Sequence, residues 1–303
     1  MSRSPLEMAR WLEELATDFL NGPDNDLGCP EAEPAFDQAL IGYAAGDDPL
    51  WRDLKKGVHP GHWTPAEAYA EAFGEEAPKL SVMCWVLPHT APTLSDQRRE
   101  KEYPAERWGR NRFIGHRNAC DGLAELLIGK LAEKGVKAVV PDMLPSWRWL
   151  TEGGEQGLAT PWSVRHAAFI AGLGTFGLCD GLITAKGKAM RAGALLVGAE
   201  LPPTVRAYQG LHDYCLYYSS GICGKCAKRC PAGAITKESG HDKEICRQYL
   251  YGHVRPWLLK NWSFTDGPDE IVPPEKFRAP KMVACGLCQA GVPCERGIPG
   301  RKL

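Results

Sequence analysis

The spacing of apolar residues predicts alternating helices and strands along most of the chain. Apolar positions three and four residues apart indicate an amphipathic helix over residues 5–20. A continuous apolar run at 80–87, ended by Pro88, is typical of a buried strand. The longest helix is predicted at 112–134 and a strand follows it at 136–140. The other predicted elements are helices near 35–45, 65–73 and 162–171 and strands at 181–184 and 192–197.

This order of elements indicates an α+β fold in two domains. A strand, a helix and a second strand in succession imply helices layered on a sheet. We therefore assign residues 1–205 to a first domain and 206–303 to a second, whose halves are joined by a proline-rich segment at 267–280. No apolar stretch reaches the roughly 18 residues that a membrane span needs, so we expect no membrane association.

Eight of the twelve cysteines lie between residues 215 and 294. The segment Cys223-x2-Cys226-x3-Cys230-Pro matches the end of the bacterial ferredoxin run, whose last cysteine binds the other of two [4Fe–4S] clusters. Ser220 stands where the first cysteine of that run is expected, and Cys215 is its natural substitute. The predicted metal ligands are a first group of Cys215, Cys223, Cys226 and Cys294 and a second group of Cys230, Cys246, Cys285 and Cys288.

Structural disulfides and zinc are the alternative interpretations of these cysteines. Disulfides need an oxidising compartment. The N-terminal sequence Met-Ser-Arg-Ser-Pro-Leu-Glu-Met-Ala-Arg has neither an apolar signal-peptide segment nor a pair of arginines, so we expect a cytoplasmic protein with reduced thiols. Paired Cys-x2-Cys spacings also build tetrahedral zinc sites, so zinc stays open as a ligand.

Charge is distributed unevenly between the two predicted domains. Residues 206–303 carry 15 Lys and Arg against 9 Asp and Glu, whereas the rest of the chain carries 21 against 28. Metal centres are often the largest local charges, and nearby cations in the second domain would offset cluster thiolates. Because the first domain is acidic, we expect no broad basic surface for a phosphate backbone, and no tRNA substrate.

A glycine-rich turn, Gly172-Leu-Gly174-Thr-Phe-Gly177, matches the G-x-G-x-x-G pattern of dinucleotide sites. Such a site needs a strand before the pattern and a helix after it, whereas here a helix is predicted before it. A turn required for tight packing and a turn that faces another cofactor both stay open. Cys179, beside this turn, is interpreted as a small buried apolar residue.

One stretch of the chain resembles a known enzyme family. Arg165-His-Ala-Ala-Phe-Ile-Ala-Gly-Leu-Gly-Thr-Phe-Gly177, Leu-Ile-Thr at 182–184 and the split ferredoxin cysteines resemble epoxyqueuosine reductases and the catalytic core of reductive dehalogenases. The resemblance covers roughly residues 80–295. It implies a nitroreductase-like α/β core that binds cobalamin, followed by a ferredoxin-like domain whose two [4Fe–4S] clusters deliver electrons to the cobalt. The corrinoid-binding residues that it implies are Ser163, Ala171, Gly172, Leu173, Gly174, Thr175, Gly177 and Gln248.

Four residues are candidates for catalysis. In the resembled reductases an acidic residue before the glycine turn donates a proton, but by spacing this chain has Leu158 there. Asp142, which follows a predicted strand, is the candidate replacement, although an Asp at that place also suits a plain turn. Arg165 and His166 directly precede the glycine turn, and His166 could instead be a core histidine. Tyr103 is a candidate proton donor because the resembled dehalogenases use a tyrosine.

A basic run precedes the longest predicted helix. Most such runs are solvated surfaces, and an anion site for substrate or cofactor is the alternative interpretation. The run consists of Arg107, Arg110, Arg112, His116 and Arg117.

Together these observations predict a cytoplasmic, cobalamin-dependent oxidoreductase that acts on a small or medium-sized organic substrate. A ferredoxin or flavodoxin is expected as its low-potential electron donor, and the cofactor would perform the difficult chemistry. One alternative is an electron-transfer protein or reductive activator of a corrinoid protein, with no substrate of its own. Another is an epoxyqueuosine reductase without the helical repeats that bind tRNA, since the chain stops at Leu303.

Overall fold

The computed structural model describes residues 4–77, 79–152, 157–263 and 283–300. Its helices are α1 (Pro5–Leu20), α2 (Leu50–Gly57), α3 (Pro65–Phe73), α4 (Ala91–Arg99), α5 (Glu106–Arg110), α6 (Gly122–Ala132), α7 (Val164–Ile170), α8 (Leu216–Ser220), α9 (Lys225–Arg229), α10 (Lys243–Tyr249) and α11 (Arg255–Asn261). Its strands are β1 (Leu40–Ala45), β2 (Ser81–Pro88), β3 (Ala138–Val139), β4 (Gly174–Phe176), β5 (Leu182–Thr184), β6 (Met190–Val197), β7 (Ile235–Thr236) and β8 (Gly240–His241). None of the described helices is long and apolar enough to cross a membrane.

A four-stranded antiparallel sheet in the order β1-β2-β6-β3 forms the centre of the molecule. Every residue of β2 is buried, as the continuous apolar run predicts. Alternate residues of β2 face opposite sides of the sheet. Val82, Cys84 and Val86 belong to one hydrophobic core, and Met83, Trp85 and Leu87 belong to the other.

Helices cover both faces of this sheet. On one face, Leu12 of α1 and Leu123 of α6 pack in the core that contains Trp85. On the other face, Phe169 of α7 packs in the core that contains Val86. The layered arrangement predicted from the order of elements is therefore confirmed, and the mixed helix-and-sheet class with it.

The longest predicted helix is present and contains an unusual segment. Helices α5 and α6 are joined without interruption by a π-helix at Asn111–Asp121, so helical structure runs from residue 106 to 132. In a π-helix the hydrogen bonds join residues five apart, and such segments are frequent at functional sites. Its arginine and histidine side chains thereby follow a different periodicity from those of an α-helix.

One predicted element is wrong. The helix expected near 35–45 is instead the strand β1, and α2 lies in a segment expected to be mostly loop. The sequence Leu-Ile-Gly-Tyr-Ala-Ala has no decisive period of its own. Its pairing along the edge of β2, from Leu40 opposite Val86 to Ala45 opposite Ser81, decides its conformation.

The C-terminal segments pack closely against the sheet-containing part. The Arg229 guanidinium donates hydrogen bonds to the carbonyls of Gln97 at 3.0 Å and Glu100 at 2.8 Å. The Gln97 amide in turn donates to the Cys285 carbonyl at 2.7 Å. These bonds cross the boundary predicted at residue 205. That boundary and the ferredoxin-like form of the second domain remain predictions, and the proline-rich connection at 267–280 lies outside the described residues.

The pairing of Trp85 with Gly193 predicts a sharp difference between two glycine substitutions. A Cβ at Gly193 would overlap the Trp85 ring that covers it, because the two residues are directly opposite in β2 and β6. We expect Gly193→Ala to lower the free energy of unfolding by about 1–3 kcal/mol. Gly129 lies on the exposed side of α6 with nothing near its Cβ position, so Gly129→Ala should raise stability by about 0.5–1 kcal/mol. Chemical denaturation of both variants measures the difference, and equal effects would contradict this packing.

Candidate active site

Four of the predicted cluster ligands surround one cavity. The cavity has a volume of about 20 Å³, and its wall includes the first predicted group, Cys215, Cys223, Cys226 and Cys294. Cys215 directly precedes α8, and Cys226 lies in α9. Cys294 comes from the distant C-terminal segment, which is held in place by hydrogen bonds from Lys188 N–H to the Cys294 carbonyl at 2.9 Å and from Ala189 N–H to the Glu295 carbonyl at 3.2 Å.

The second predicted group is assembled from the end of α9, from α10 and from the segment around Gly286. Burial, and then the charges of Cys246 and Cys230, raise the pKa of the Cys285 thiol to about 12. The thiols of three members of the second group are therefore close together. The fourth, Cys288, is directed toward the first group and contacts Cys179. All twelve cysteines are free thiols.

Cys179 joins the two groups, although the sequence suggested only an apolar core residue. The Lys188 ammonium donates a hydrogen bond to its sulfur at 3.1 Å, and the thiols of Cys226 and Cys288 lie next to it. These three neighbours hold the pKa of Cys179 well below its ordinary value. Burial disfavours the charged form of Lys188, but the nearby negative charge of Cys179 and then of Cys294 and Cys288 raises the Lys188 pKa above its usual range.

Lys188 also lines a second, larger cavity that we call the basic cleft. The cleft has a volume of about 320 Å³ and is open to solvent. Its cationic side chains come from the π-helix, the start of α7 and the start of β6, and its apolar side chains come from α7, β5 and β6. The described residues that line it are Arg112, His116, Val164, Arg165, Gly181, Leu182, Lys188, Met190, Arg191, Ala192 and Gln289, with no acidic residue among them. The basic run ahead of the longest helix therefore contributes Arg112 and His116 to a site.

Arg191 is a cation of the cleft in an unfavourable electrostatic environment. Burial, followed by repulsion from Arg112, lowers the Arg191 pKa to about 9. Its Nε is buried and has no hydrogen-bond partner. Burial also lowers the pKa of Arg112, although Asp121 opposes that effect. Two desolvated guanidinium groups of like charge favour the binding of an anionic group in the cleft.

Behind the cleft the π-helix brings together a histidine, a cysteine and a carboxylate. The ligand atoms of His116, Cys120 and Asp121 lie within 4.8 Å of one another, and the Trp85 Nε1–H donates to the Cys120 sulfur at 3.2 Å. The positive charge of Arg191 also reaches Cys120, and such a neighbour opposes the binding of a metal cation. We therefore interpret these residues as the wall of the cleft.

The predicted catalytic residues fall in different places. Asp142 follows β3 in a short 3₁₀ turn, close enough to Cys120 for their charges to interact, which places it behind the cleft. Arg165 lines the cleft and donates a hydrogen bond to the Asp180 carbonyl. Tyr103 lies elsewhere, stacked between the rings of His253 and Trp257 at centroid distances of 5.1 and 4.4 Å.

His166 lies beside Arg165 but is held within the core. Its Nδ1 forms a hydrogen bond of 2.8 Å with the Ser163 hydroxyl, and its ring packs against Phe176 at 4.6 Å. Burial, and then the positive charge of Arg165, lower the His166 pKa to about 3. The side chain is therefore neutral at physiological pH. Ser163 also caps α7 by accepting a hydrogen bond from the His166 backbone N–H.

The glycine turn is covered by other parts of the protein. Ala171 and Thr175 are fully buried, and Gly172, at a φ of +79°, lies against Thr204. The predicted cofactor residues Leu173 and Gly174 pack against Gly42 and Ile183, respectively. Gly177 opens onto the cavity of the first cysteine group. Gln248 is exposed and donates to Glu244. The role of these residues in corrinoid binding remains a prediction.

The unsatisfied Nε of Arg191 and the like charge of Arg112 beside it predict that removing the Arg191 charge stabilises the protein. We expect Arg191→Met to raise the free energy of unfolding by about 1–2 kcal/mol, because a desolvated charge beside Arg112 is removed. Arg206 is a matched control, since its guanidinium donates to Asp48 at 2.6 Å and to the Ile170 carbonyl at 3.0 Å. Arg206→Met should lower stability by about 1–2 kcal/mol. Urea denaturation measures the stability of both variants. A loss of stability in Arg191→Met would contradict the predicted repulsion between Arg191 and Arg112.

Comparison with solved structures places this arrangement in a known fold. A selenomethionine-labelled epoxyqueuosine reductase matches 97% of this chain and 67% of its own length, with 19% identity and a TM-score of 0.50. The catabolic reductive dehalogenase NpRdhA, in complex with 3-bromo-4-hydroxybenzoic acid, matches 98% of this chain and 33% of its own length, with 16% identity and a TM-score of 0.52. No protein-family model and no curated protein sequence matches the chain. The chain therefore has the fold shared by epoxyqueuosine reductase and reductive dehalogenase, as the resemblance in sequence predicts.

Proposed function

We propose that the protein is an iron–sulfur, cobalamin-dependent reductase of a small or medium-sized organic substrate. The observation that carries this proposal is the position of Lys188. This residue lines both the cavity of the first cysteine group and the basic cleft. A site for electron carriers and a site for a substrate would thus share a wall. The fold shared with two kinds of reductase supports the same class of reaction.

The cysteines fit two [4Fe–4S] clusters. Each cluster takes four thiolates, and the two predicted groups supply eight. The first group already surrounds a common cavity, although Cys294 is far from the others in sequence. The thiols of Cys230, Cys246 and Cys285 lie close enough for their charges to interact, and Cys288 would complete their group. When bound, the clusters would supply electrons one at a time.

The basic cleft fits part of a corrinoid and a substrate beside it. Val164, Leu182 and Met190 provide an apolar surface for a flat ring, and the surrounding cations suit anionic or amide-bearing edges. A bound cobalamin would supply a strongly reducing metal centre. Arg112 and Arg191 would orient an anionic group of the ligand. Neutral His166 would contribute a hydrogen bond and no proton, whereas the Asp142 carboxyl is the candidate to hold the proton that the reduced substrate takes up.

The distribution of charge along the chain bears on the class of substrate. A tRNA substrate would need a broad basic surface, whereas the excess of Lys and Arg over Asp and Glu is confined to residues 206–303, which hold the predicted cluster ligands. We therefore propose a small or medium-sized substrate and a ferredoxin or flavodoxin as electron donor, in the cytoplasm. The chain spans about two thirds of the matched epoxyqueuosine reductase and one third of the dehalogenase.

Metal analysis tests the cluster assignment. After anaerobic purification we expect about eight iron and eight sulfide per chain. Cys294→Ser should lose roughly half of the iron, because Cys294 would serve the same cluster as Cys226. Cys29 lies outside both groups, so Cys29→Ser is the matched control and should keep its full iron content. Stoichiometric zinc without iron, or retention of all iron in Cys294→Ser, would contradict the assignment.

Corrinoid binding tests the role of the cleft. We expect the cluster-containing protein to bind cobalamin, as measured by visible spectroscopy after gel filtration. Ala192 lines the cleft, so Ala192→Trp should fill part of it. We expect the affinity for cobalamin to fall by about tenfold or more, which corresponds to a loss of about 1.4 kcal/mol of binding free energy. Val205 is 88% exposed and outside the cleft, and Val205→Trp should bind normally. Intact clusters without any corrinoid binding would favour an electron-transfer protein instead.

A further inference from the structure

We propose that Lys188 is a positioning residue for electron transfer, and that its buried positive charge stabilises the reduced state of the clusters. The proposal rests on the proposed binding of two [4Fe–4S] clusters. Lys188 is not a predicted cluster ligand, and it donates no electron or proton in this role. It sets how readily the cysteine-bound centres accept an electron before that electron moves toward the cleft.

The position of Lys188 is unusual for a lysine. Its side chain is 2% exposed, although lysines are almost never fully buried unless they are paired. Its ammonium donates a hydrogen bond to the Cys179 sulfur, at 3.1 Å. Its charge interacts with Cys294 and Cys226 of the first group and with Cys288 of the second. One cation therefore faces both predicted groups of ligands.

No buried acid cancels this charge within the described part of the chain around Cys294. Glu295 is the buried acid of that segment, but its carboxylate is paired with Arg98 and also accepts the Gly291 backbone N–H at 2.7 Å. The Lys188 backbone N–H is equally committed, because it donates to the Cys294 carbonyl. The positive charge of the Lys188 ammonium can therefore offset the negative charge of the thiolates and of a cluster bound to them.

Reduction of a [4Fe–4S] cluster adds one electron and therefore one negative charge. A fixed cation in a poorly hydrated site stabilises that added charge more than it would in water. Cluster potentials depend on net charge, on hydrogen bonds to the sulfurs and on exposure to solvent. Loss of the Lys188 charge should make reduction harder, so the midpoint potential should move to a more negative value.

The test compares four proteins that contain both clusters. Lys188→Gln removes the charge but keeps an N–H donor for Cys179, and Lys188→Met is a second neutral variant of similar length. Lys186 is the matched control, because it lies two residues away and is exposed. The wild type, the Lys188 variants and Lys186→Gln are first assayed for iron and sulfide. Each is then titrated with dithionite through mediators while the reduced clusters are measured by electron paramagnetic resonance.

We expect the Lys188 variants to have at least one cluster whose ratio of reduced to oxidised form falls about tenfold at a fixed potential. For one electron this corresponds to a shift of about 59 mV. Lys186→Gln should titrate like the wild type. Unchanged potentials in a Lys188 variant that holds both clusters would overturn the proposal. Loss of clusters from both neutral variants would show that Lys188 is needed for cluster assembly, and would overturn its proposed effect on the midpoint potential. Absence of clusters from the wild type would instead refute the proposed function.

Discussion

The contact on which the candidate site depends is the return of the C-terminal segment onto the turn between β5 and β6. This turn requires Gly187, whose φ is +87° and whose Cβ position is filled by the Glu295 carbonyl. Two backbone hydrogen bonds then join residues 188 and 189 to residues 294 and 295. The contact delivers Cys294 to the other cysteines and buries Lys188 beneath it. Without it, the first group would have three members and the cleft would lose one wall.

The sequence is informative where the pattern repeats or where spacing has a chemical meaning. Helix α1 has the predicted bounds, because a full amphipathic period extends over the whole segment. Strand β2 is predicted because it is buried on both faces. Cys294 lines the same cavity as Cys226 despite their distance in sequence, and the crossed assignment to two clusters remains a prediction. By contrast, β1 is short and takes its conformation from its partner strand, which no local pattern could show.

The functional details that the sequence could not show are those made by tertiary contacts. Lys186 and Lys188 occur in the same short polar stretch, yet one is exposed and the other is buried beside Cys179. Cys179 has no motif that sets it apart from a core thiol. Arg191 follows an apolar methionine at the start of a strand, and only the fold brings it near Arg112. In each case the environment of the side chain, and not its type, gives it a candidate role.

The electrostatics of the cleft bear directly on the proposed chemistry. The cleft gathers positive charge at a cost in stability, since Arg191 is desolvated and lacks a partner for its Nε. Natural sites often retain such strain where a ligand relieves it. The cysteine groups offset part of this charge through the contact between Cys179 and Lys188. Clusters held by these cysteines would place a reducible centre next to a cationic cleft, an arrangement that suits the delivery of electrons to a bound anion or cofactor.

Under the proposed function, two clusters would lie side by side across Cys179, whose sulfur neighbours both Cys226 and Cys288. Electron paramagnetic resonance of the fully reduced protein tests it most directly. Two reduced clusters at such close range must interact, so we expect a broadened spectrum with features of spin–spin coupling. That coupling should disappear when only one cluster is reduced. A spectrum that remains the simple sum of two isolated centres, or that contains a single centre, would contradict the account.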